Sequence, residues 1–148
     1  MKKGLITIIL LLVLAIGIYS AISLFSSKPP SPKITVEGKK VDAVQGSYCW
    51  DGLLHSVCAT TSSPPNVIQD QGIKPIVVSP LSKLKIAFKE QPLEDSLNVN
   101  QWLSNEETKD ISINDHILLP KEKGIYVYDV SASWEKGSSI FAFVIEVK

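Results

Sequence analysis

Hydrophobic residues follow two different patterns along the chain, and the change between them divides the molecule. Residues 5–25 form a run of 21 positions without a charged side chain. At about 1.5 Å per residue a helix of that length spans about 31 Å, close to the ~30 Å hydrocarbon core of a bilayer. The run therefore predicts a transmembrane anchor. A long signal peptide, cleaved near Ala21, is the alternative.

The residues on either side of this run predict its orientation. Residues 1–4 carry Lys2 and Lys3, which favour the cytoplasmic side of the membrane. Residues 26–33 contain three prolines and three serines, a composition typical of an extended spacer. Because an anchor in this orientation and a cleaved signal peptide would both export the remainder of the chain, we expect an extracytoplasmic C-terminal domain, held at the cell membrane by a single span.

From residue 34 to residue 148 the hydrophobic pattern alternates with a period of two and is interrupted by turn residues. No part of this region keeps a helical period over ten residues, so we expect short strands packed as an immunoglobulin-like antiparallel β-sandwich. Residues 60–66 are expected to form a connector, and the acidic residues 106–110 at most one helical turn. Seven to nine strands are expected, among the segments 33–37, 40–44, 46–50, 56–59, 74–78, 81–88, 124–134 and 140–147. Residues 97–103 alternate weakly, and residues 111–114 and 116–119 are short apolar runs.

The last two strands have the clearest alternation, which predicts the inward face of each strand. Asp129, Ser131 and Ser133 are expected on the opposite, polar face. We expect the hairpin to organise the sandwich, because burying a large apolar side chain contributes about 1.5–3 kcal/mol. The predicted core residues are Tyr126, Tyr128, Val130, Ala132, Trp134, Phe141, Phe143, Ile145 and Val147.

Charge composition excludes one class of partner. The chain has 15 basic and 15 acidic residues, and every basic residue is lysine. Nucleic-acid binding normally uses a positive field and arginine, whose planar guanidinium pairs with phosphates and bases. We therefore expect no nucleic-acid partner, and the scattered lysines do not form a basic membrane-binding helix.

Cys49 and Cys58 are the only cysteines in the chain. In an oxidising compartment such a pair predicts a disulfide, whereas in the cytosol it would remain as thiols or join His55 as metal ligands. Since the domain is expected outside the cell, we expect the disulfide and no metal. Asp51 and Gly52 favour a two-residue turn. A disulfide between the cysteines would instead centre the loop two residues later, on Leu53 and Leu54. We expect the disulfide to determine the loop, because a covalent bond holds its ends together.

The segment between the cysteines is the candidate binding site. Trp50, Leu53, Leu54 and His55 lie on a loop constrained by the disulfide, and rigid apolar side chains of this kind bind partners with little loss of entropy. In the alternative interpretation, Trp50 and Leu53 cover one end of the sandwich and the disulfide only stabilises it.

Two sequence segments resemble known families. Residues 120–128, followed by Trp134 and a Phe-rich strand, resemble the terminal hairpin of bacterial extracytoplasmic immunoglobulin-like domains. The string from Gly46 to Trp50, followed by Val57, Cys58 and Ala59, resembles an uncharacterised family of small membrane-anchored proteins from Gram-positive bacteria. This resemblance implies the location and the fold but no activity. A looser, architectural resemblance is to small all-β bacterial proteinase inhibitors.

No motif in the chain predicts catalysis. Asp115 and His116 are adjacent, which would place their side chains on opposite faces of a strand, and no Gly-x-Ser-x-Gly string is present. We expect no cofactor. The sequence thus favours a non-catalytic binding or accessory module of the cell envelope. An inhibitor of extracellular proteases and an envelope enzyme of unknown type are the alternatives.

Overall fold

A computed structural model describes residues 2–24, 28–52 and 55–148. The first element, α1 (Lys2–Leu24), is an apolar helix whose side chains are exposed to the surroundings from Gly4 to Ser20. Its segment Gly4–Ala21 is long and apolar enough to cross a membrane, and a signal sequence would have the same property. The sequence prediction of one N-terminal apolar helix is therefore confirmed.

The described residues after α1 form eleven strands and one short helix, α2 (Pro64–Asp70). Their arrangement in two facing sheets confirms the predicted β-sandwich. The strands are β1 (Pro32–Val36), β2 (Lys39–Val41), β3 (Ala43–Asp51), β4 (Ser56–Ala59), β5 (Ile76–Val78), β6 (Lys83–Phe88), β7 (Asn98–Trp102), β8 (Thr108–Ile111), β9 (Ile117–Leu118), β10 (Gly124–Trp134) and β11 (Gly137–Val147).

The smaller sheet has the strand order β2-β1-β6-β9, and the larger one has the order β4-β3-β11-β10-β7-β8. All of these neighbours are antiparallel, while β5 joins the larger sheet parallel to the end of β11. The chain passes from the smaller to the larger sheet at Asp42, between β2 and β3. For this reason residues 40–44, which were expected to form one strand, are divided between the end of β2 and the start of β3.

The order of the later strands is that of an immunoglobulin-like domain. Strands β6 and β9 pair in one sheet and β7, β10 and β11 in the other, with β8 at the edge. Near the start of β10, the hydroxyl of Tyr126 donates a hydrogen bond of 2.9 Å to the carbonyl of Glu122. A tyrosine that binds back to the backbone at this corner is a hallmark of such sandwiches.

The main core lies between the two sheets and confirms the predicted inward face of the terminal hairpin. All the predicted core residues of β10 and β11 are buried except Tyr126, which packs partly buried against the same cluster. Tyr128 stacks on Phe143 with 5.4 Å between ring centroids, and burial raises the pKa of its hydroxyl above the ordinary value. From the smaller sheet, Ile34 and Leu84 close the core.

A second, smaller core covers part of the outer face of the larger sheet, and the sequence did not predict it. Val67 and Ile68 of α2 pack against Val44, Ala142 and Val144. The prediction of a plain connector over residues 60–66 is wrong, because α2 begins within it. Two prolines suggested a break, but the first turn of a helix accepts proline, since its N–H groups have no partner inside the helix.

The acidic segment 106–110 also differs from its prediction. Residues Thr108–Ile111 form β8, an edge strand paired with β7, rather than a helical turn. The side chains of residues 108–110 are exposed. An edge strand whose side chains are mostly exposed needs no alternation of apolar and polar residues. For this reason the sequence pattern did not predict β8.

Candidate functional site

Strands β3 and β4 form a disulfide hairpin, residues 49–58. Cys49 and Cys58 lie directly opposite each other on the paired strands, with Cα atoms 4.1 Å apart, and are joined by a disulfide. The strand register ends at the pair Asp51 and Ser56. The predicted disulfide is confirmed, and so is its precedence over a two-residue turn at Asp51 and Gly52.

Polar contacts hold both ends of the loop of this hairpin. The hydroxyl of Ser56 donates a hydrogen bond of 2.5 Å to the carboxylate of Asp51. The N–H of Gly52 donates a bond of 3.0 Å to the carbonyl of His55. His55 is exposed, as are both cysteines. Leu53 and Leu54, the other predicted contact residues, lie outside the described residues.

Trp50 is placed in the core rather than at the surface. Only 3% of its surface is exposed, and its ring meets Trp134 edge-on at a centroid distance of 5.7 Å. Trp134 in turn packs on Phe88 of the smaller sheet at 5.1 Å. Trp50 therefore closes one end of the sandwich, as the alternative interpretation of this residue states, and is not available to a partner. The binding role of the remaining loop stays a prediction.

We call the end where β3, β6 and β10 finish, at Asp51, Phe88 and Trp134, the basal end of the sandwich. The disulfide hairpin is attached there through close backbone contact. Gly137 pairs with Trp50, and a Cβ atom on Gly137 would lie 2.1 Å from the carbonyl oxygen of Cys49. The N–H of Asp51 also donates a bond of 2.6 Å to the carbonyl of Lys136.

A cavity of about 530 Å³ lies at this basal end, between the sandwich and α1. We refer to it as the basal cavity. Its walls combine an aromatic residue of α1, the buried Trp50 and several charged side chains. The residues that line it include Tyr19, Lys28, Trp50, Lys89, Glu90 and Lys136.

The larger sheet contains a buried carboxyl group that the sequence did not predict. Asp129 was expected on a polar outer face, yet only 4% of it is exposed. The indole N–H of Trp102 donates a bond of 2.5 Å to Oδ2, and the Asn100 amide donates one of 3.2 Å to Oδ1. Burial raises the pKa of Asp129, while the two hydrogen bonds act in the opposite direction. The alternation in β10 places Asp129 on the outer face but does not show what covers it.

The raised pKa of Asp129 predicts a pH-dependent stability. The folded protein holds this proton more tightly than the unfolded chain, whose carboxyl titrates near the ordinary value of 3.8. Stability should therefore fall as the pH rises from 3.8 through the raised pKa. We expect Asp129→Asn, which keeps the shape and never ionises, to remove this decline. Urea unfolding of both proteins in detergent, followed by tryptophan fluorescence between pH 3 and 7, measures the difference. A difference that is constant with pH would contradict the prediction.

The histidines and the cysteines were the other candidates for a reactive site. His116 lines a small cavity beside Asp115 at the start of β9. Among residues 2–24, 28–52 and 55–148, no three His, Cys, Asp or Glu side chains group as a metal site would require. Both sulfurs that could have joined His55 are bonded to each other.

Comparison with known proteins returned no relatives. No family model matches this chain, and no curated protein or solved structure matches it.

Proposed function

We propose that this protein is a non-catalytic binding or accessory module of the cell envelope, anchored by α1 with its β-sandwich outside the cell. The observation that carries the proposal is the Cys49–Cys58 disulfide on an exposed hairpin. Disulfides persist in oxidising compartments and are rare in the cytosol. An apolar helix next to a disulfide-bonded sandwich is the arrangement expected of an exported, membrane-attached domain.

The disulfide hairpin supports a binding role for its loop. The loop is short, and the disulfide, the bond from Ser56 to Asp51 and the docking of Asp51 on Lys136 hold both of its ends. A constrained loop loses little conformational entropy when it binds. Its sequence between Gly52 and His55 supplies two leucines, Leu53 and Leu54.

The location can be tested on the native cysteines. Intact cells are treated with a membrane-impermeant maleimide, either directly or after an impermeant reductant, and the full-length protein is then analysed by mass spectrometry. We expect labelling of both cysteines only after reduction. Labelling that requires lysis of the cells would overturn the proposed location. Labelling of intact cells without the reductant would place the cysteines outside but overturn the disulfide.

The binding role needs a matched comparison. The full-length wild type and the variant Leu53→Ser/Leu54→Ser are expressed in their own membranes, cross-linked and isolated. Leu118→Ser, an exposed position at the opposite end of the sandwich, is the control. We expect a cross-linked species that is lost in the loop variant and retained in the control. Equal recovery from all three proteins would exclude the loop as the contact.

A further inference from the structure

We propose that the outer face of the smaller sheet docks on the anionic membrane leaflet from which α1 emerges. We call this surface the lysine face; it carries Lys33, Lys40, Lys83 and Lys85. The inference rests on the proposed membrane anchoring, but it assigns an interaction surface that the anchoring does not require. The partner is a bilayer surface that contains phospholipids with a net negative charge.

Strand register and burial show that the four lysines share one face. Thr35 of β1 pairs with Lys40 of β2 on one side and with Lys85 of β6 on the other. Lys33 precedes Thr35 by two positions, and residues two apart in a strand share a face. The same relation places Lys83 beside Lys85. All four lysines are exposed, and the buried residues between these positions in β1 and β6 point into the core.

The lysine face is broad, and its centre is free of large side chains. Neighbouring strands lie about 4.8 Å apart, so the Cα atoms of Lys40 and Lys85, on either side of Thr35, are about 10 Å apart. The residue paired with Lys33 is Ala87, which is as small as its neighbour Thr35. An array of ammonium groups on three strands of a sheet fits a surface of negative charge better than a single extended polymer, which a groove would hold more closely.

Positive charge is concentrated on this face although the domain as a whole is acidic. Residues 28–148 contain 13 lysines and 15 acidic residues. Among the described residues, the ion pairs include Lys40, which meets Asp42 at 3.2 Å, but not the other three lysines of the face. Glu37, which directly follows β1, accepts hydrogen bonds from Ser79 and Ser82. The face therefore has a net positive charge, and each lysine near an anionic leaflet raises the affinity about fivefold.

The connection to α1 keeps this face close to the membrane. Strand β1 is the first strand after α1, and residues 25–31 separate the two elements. A segment of that length spans at most about 25 Å when fully extended. The lysine face is thus held near the leaflet at a high effective concentration, so a modest electrostatic attraction is enough to dock it.

The test uses the full-length protein in nanodiscs of phosphatidylcholine, either alone or with an equal amount of phosphatidylglycerol. A brief pulse of an uncharged acetylating reagent, followed by peptide mass spectrometry, gives the reaction rate of each lysine. We expect the lysine face to react at least about tenfold more slowly beside phosphatidylglycerol, since its lysines contribute about fivefold each to docking. Lys74, which follows α2, and Lys109 of β8 are exposed internal controls and should react equally in both nanodiscs. Equal rates for the lysine face would overturn the proposal.

Two charge-matched variants test whether the face itself docks. Lys83→Gln/Lys85→Gln should weaken docking about 30-fold, on the same figure for each lysine, and restore the reaction of Lys33 and Lys40. Lys74→Gln/Lys109→Gln removes the same charge from exposed positions outside the face and should leave the protection unchanged. Equal effects of the two variants would show that net charge, and not the lysine face, attracts the domain.

A last arm distinguishes the membrane from a soluble partner. Polyglutamate is added to the protein in nanodiscs of phosphatidylcholine alone. Protection of the lysine face by polyglutamate, together with none by phosphatidylglycerol, would overturn the membrane as the partner. Incorporation into nanodiscs depends on α1, and the labelling of Cys49 and Cys58 does not involve the lysine face, so this proposal and the proposed function fail separately.

Discussion

Replacing Trp134 with alanine should lower the free energy of unfolding by about 3 to 5 kcal/mol. Trp134 connects the layers at the basal end: its ring contacts Trp50 of the larger sheet and Phe88 of the smaller one. Its indole N–H donates a bond of 2.9 Å to the carbonyl of Glu90. The substitution thus removes apolar burial, opens a cavity between the sheets and leaves a carbonyl without its donor.

Urea unfolding of the full-length protein in detergent measures this loss. All three tryptophans lie in the sandwich and none in α1, so Trp50 and Trp102 still report unfolding of the sandwich in the variant. Ile125→Ala is the matched control on the same strand, because Ile125 is 64% exposed. It should change the stability by no more than about 0.5 kcal/mol. If Trp134→Ala lowered the free energy of unfolding by less than about 1 kcal/mol, the contacts of Trp134 with the two sheets would not stabilise the sandwich as predicted.

Gly137→Ala should destabilise the sandwich by about 3 kcal/mol or more, although it adds a single methyl group. Gly137 has φ +144, a conformation that other residues rarely adopt. The added Cβ would also lie 2.1 Å from the carbonyl oxygen of Cys49, and backbone atoms cannot move away as a flexible side chain could. The strain and the clash both act where the disulfide hairpin docks on β11.

Gly38→Ala separates these two contributions. Gly38 also has a positive φ, of +76, but a Cβ atom there would meet nothing within 4 Å. This control should lose only the strain energy, about 1 to 3 kcal/mol. We expect Gly137→Ala to lose more free energy of unfolding than Gly38→Ala. Urea unfolding of the two variants in parallel measures this difference. Equal losses would mean that the hairpin accommodates the methyl group by moving.

If Gly137→Ala displaces the hairpin, its effects should extend to the basal cavity. Trp50 is the residue paired with Gly137, and it lines that cavity. The docking of the hairpin therefore connects the predicted binding loop, the core and the basal cavity at one end of the molecule.

The sequence by itself determined the features that depend on neighbours along the chain. An uncharged run of 21 residues predicted α1. Strict alternation predicted β10 with its bounds and the inward face of β11. The pairing of Cys49 with Cys58 followed from there being only two cysteines in a domain expected to be exported. In each case the signal is local periodicity or simple counting, so no knowledge of the packing was needed.

Only the tertiary structure decided what covers each surface. Trp50 is buried because β3 lies beside β11 and brings it against Trp134, a contact between residues 84 positions apart in the sequence. Asp129 is buried because Trp102 and Asn100 of a neighbouring strand reach its carboxylate. The basal cavity unites residues from α1, the spacer and three separate turns or strand ends. Alternation shows which side chains share a face of a strand, but burial depends on which distant element packs on that face.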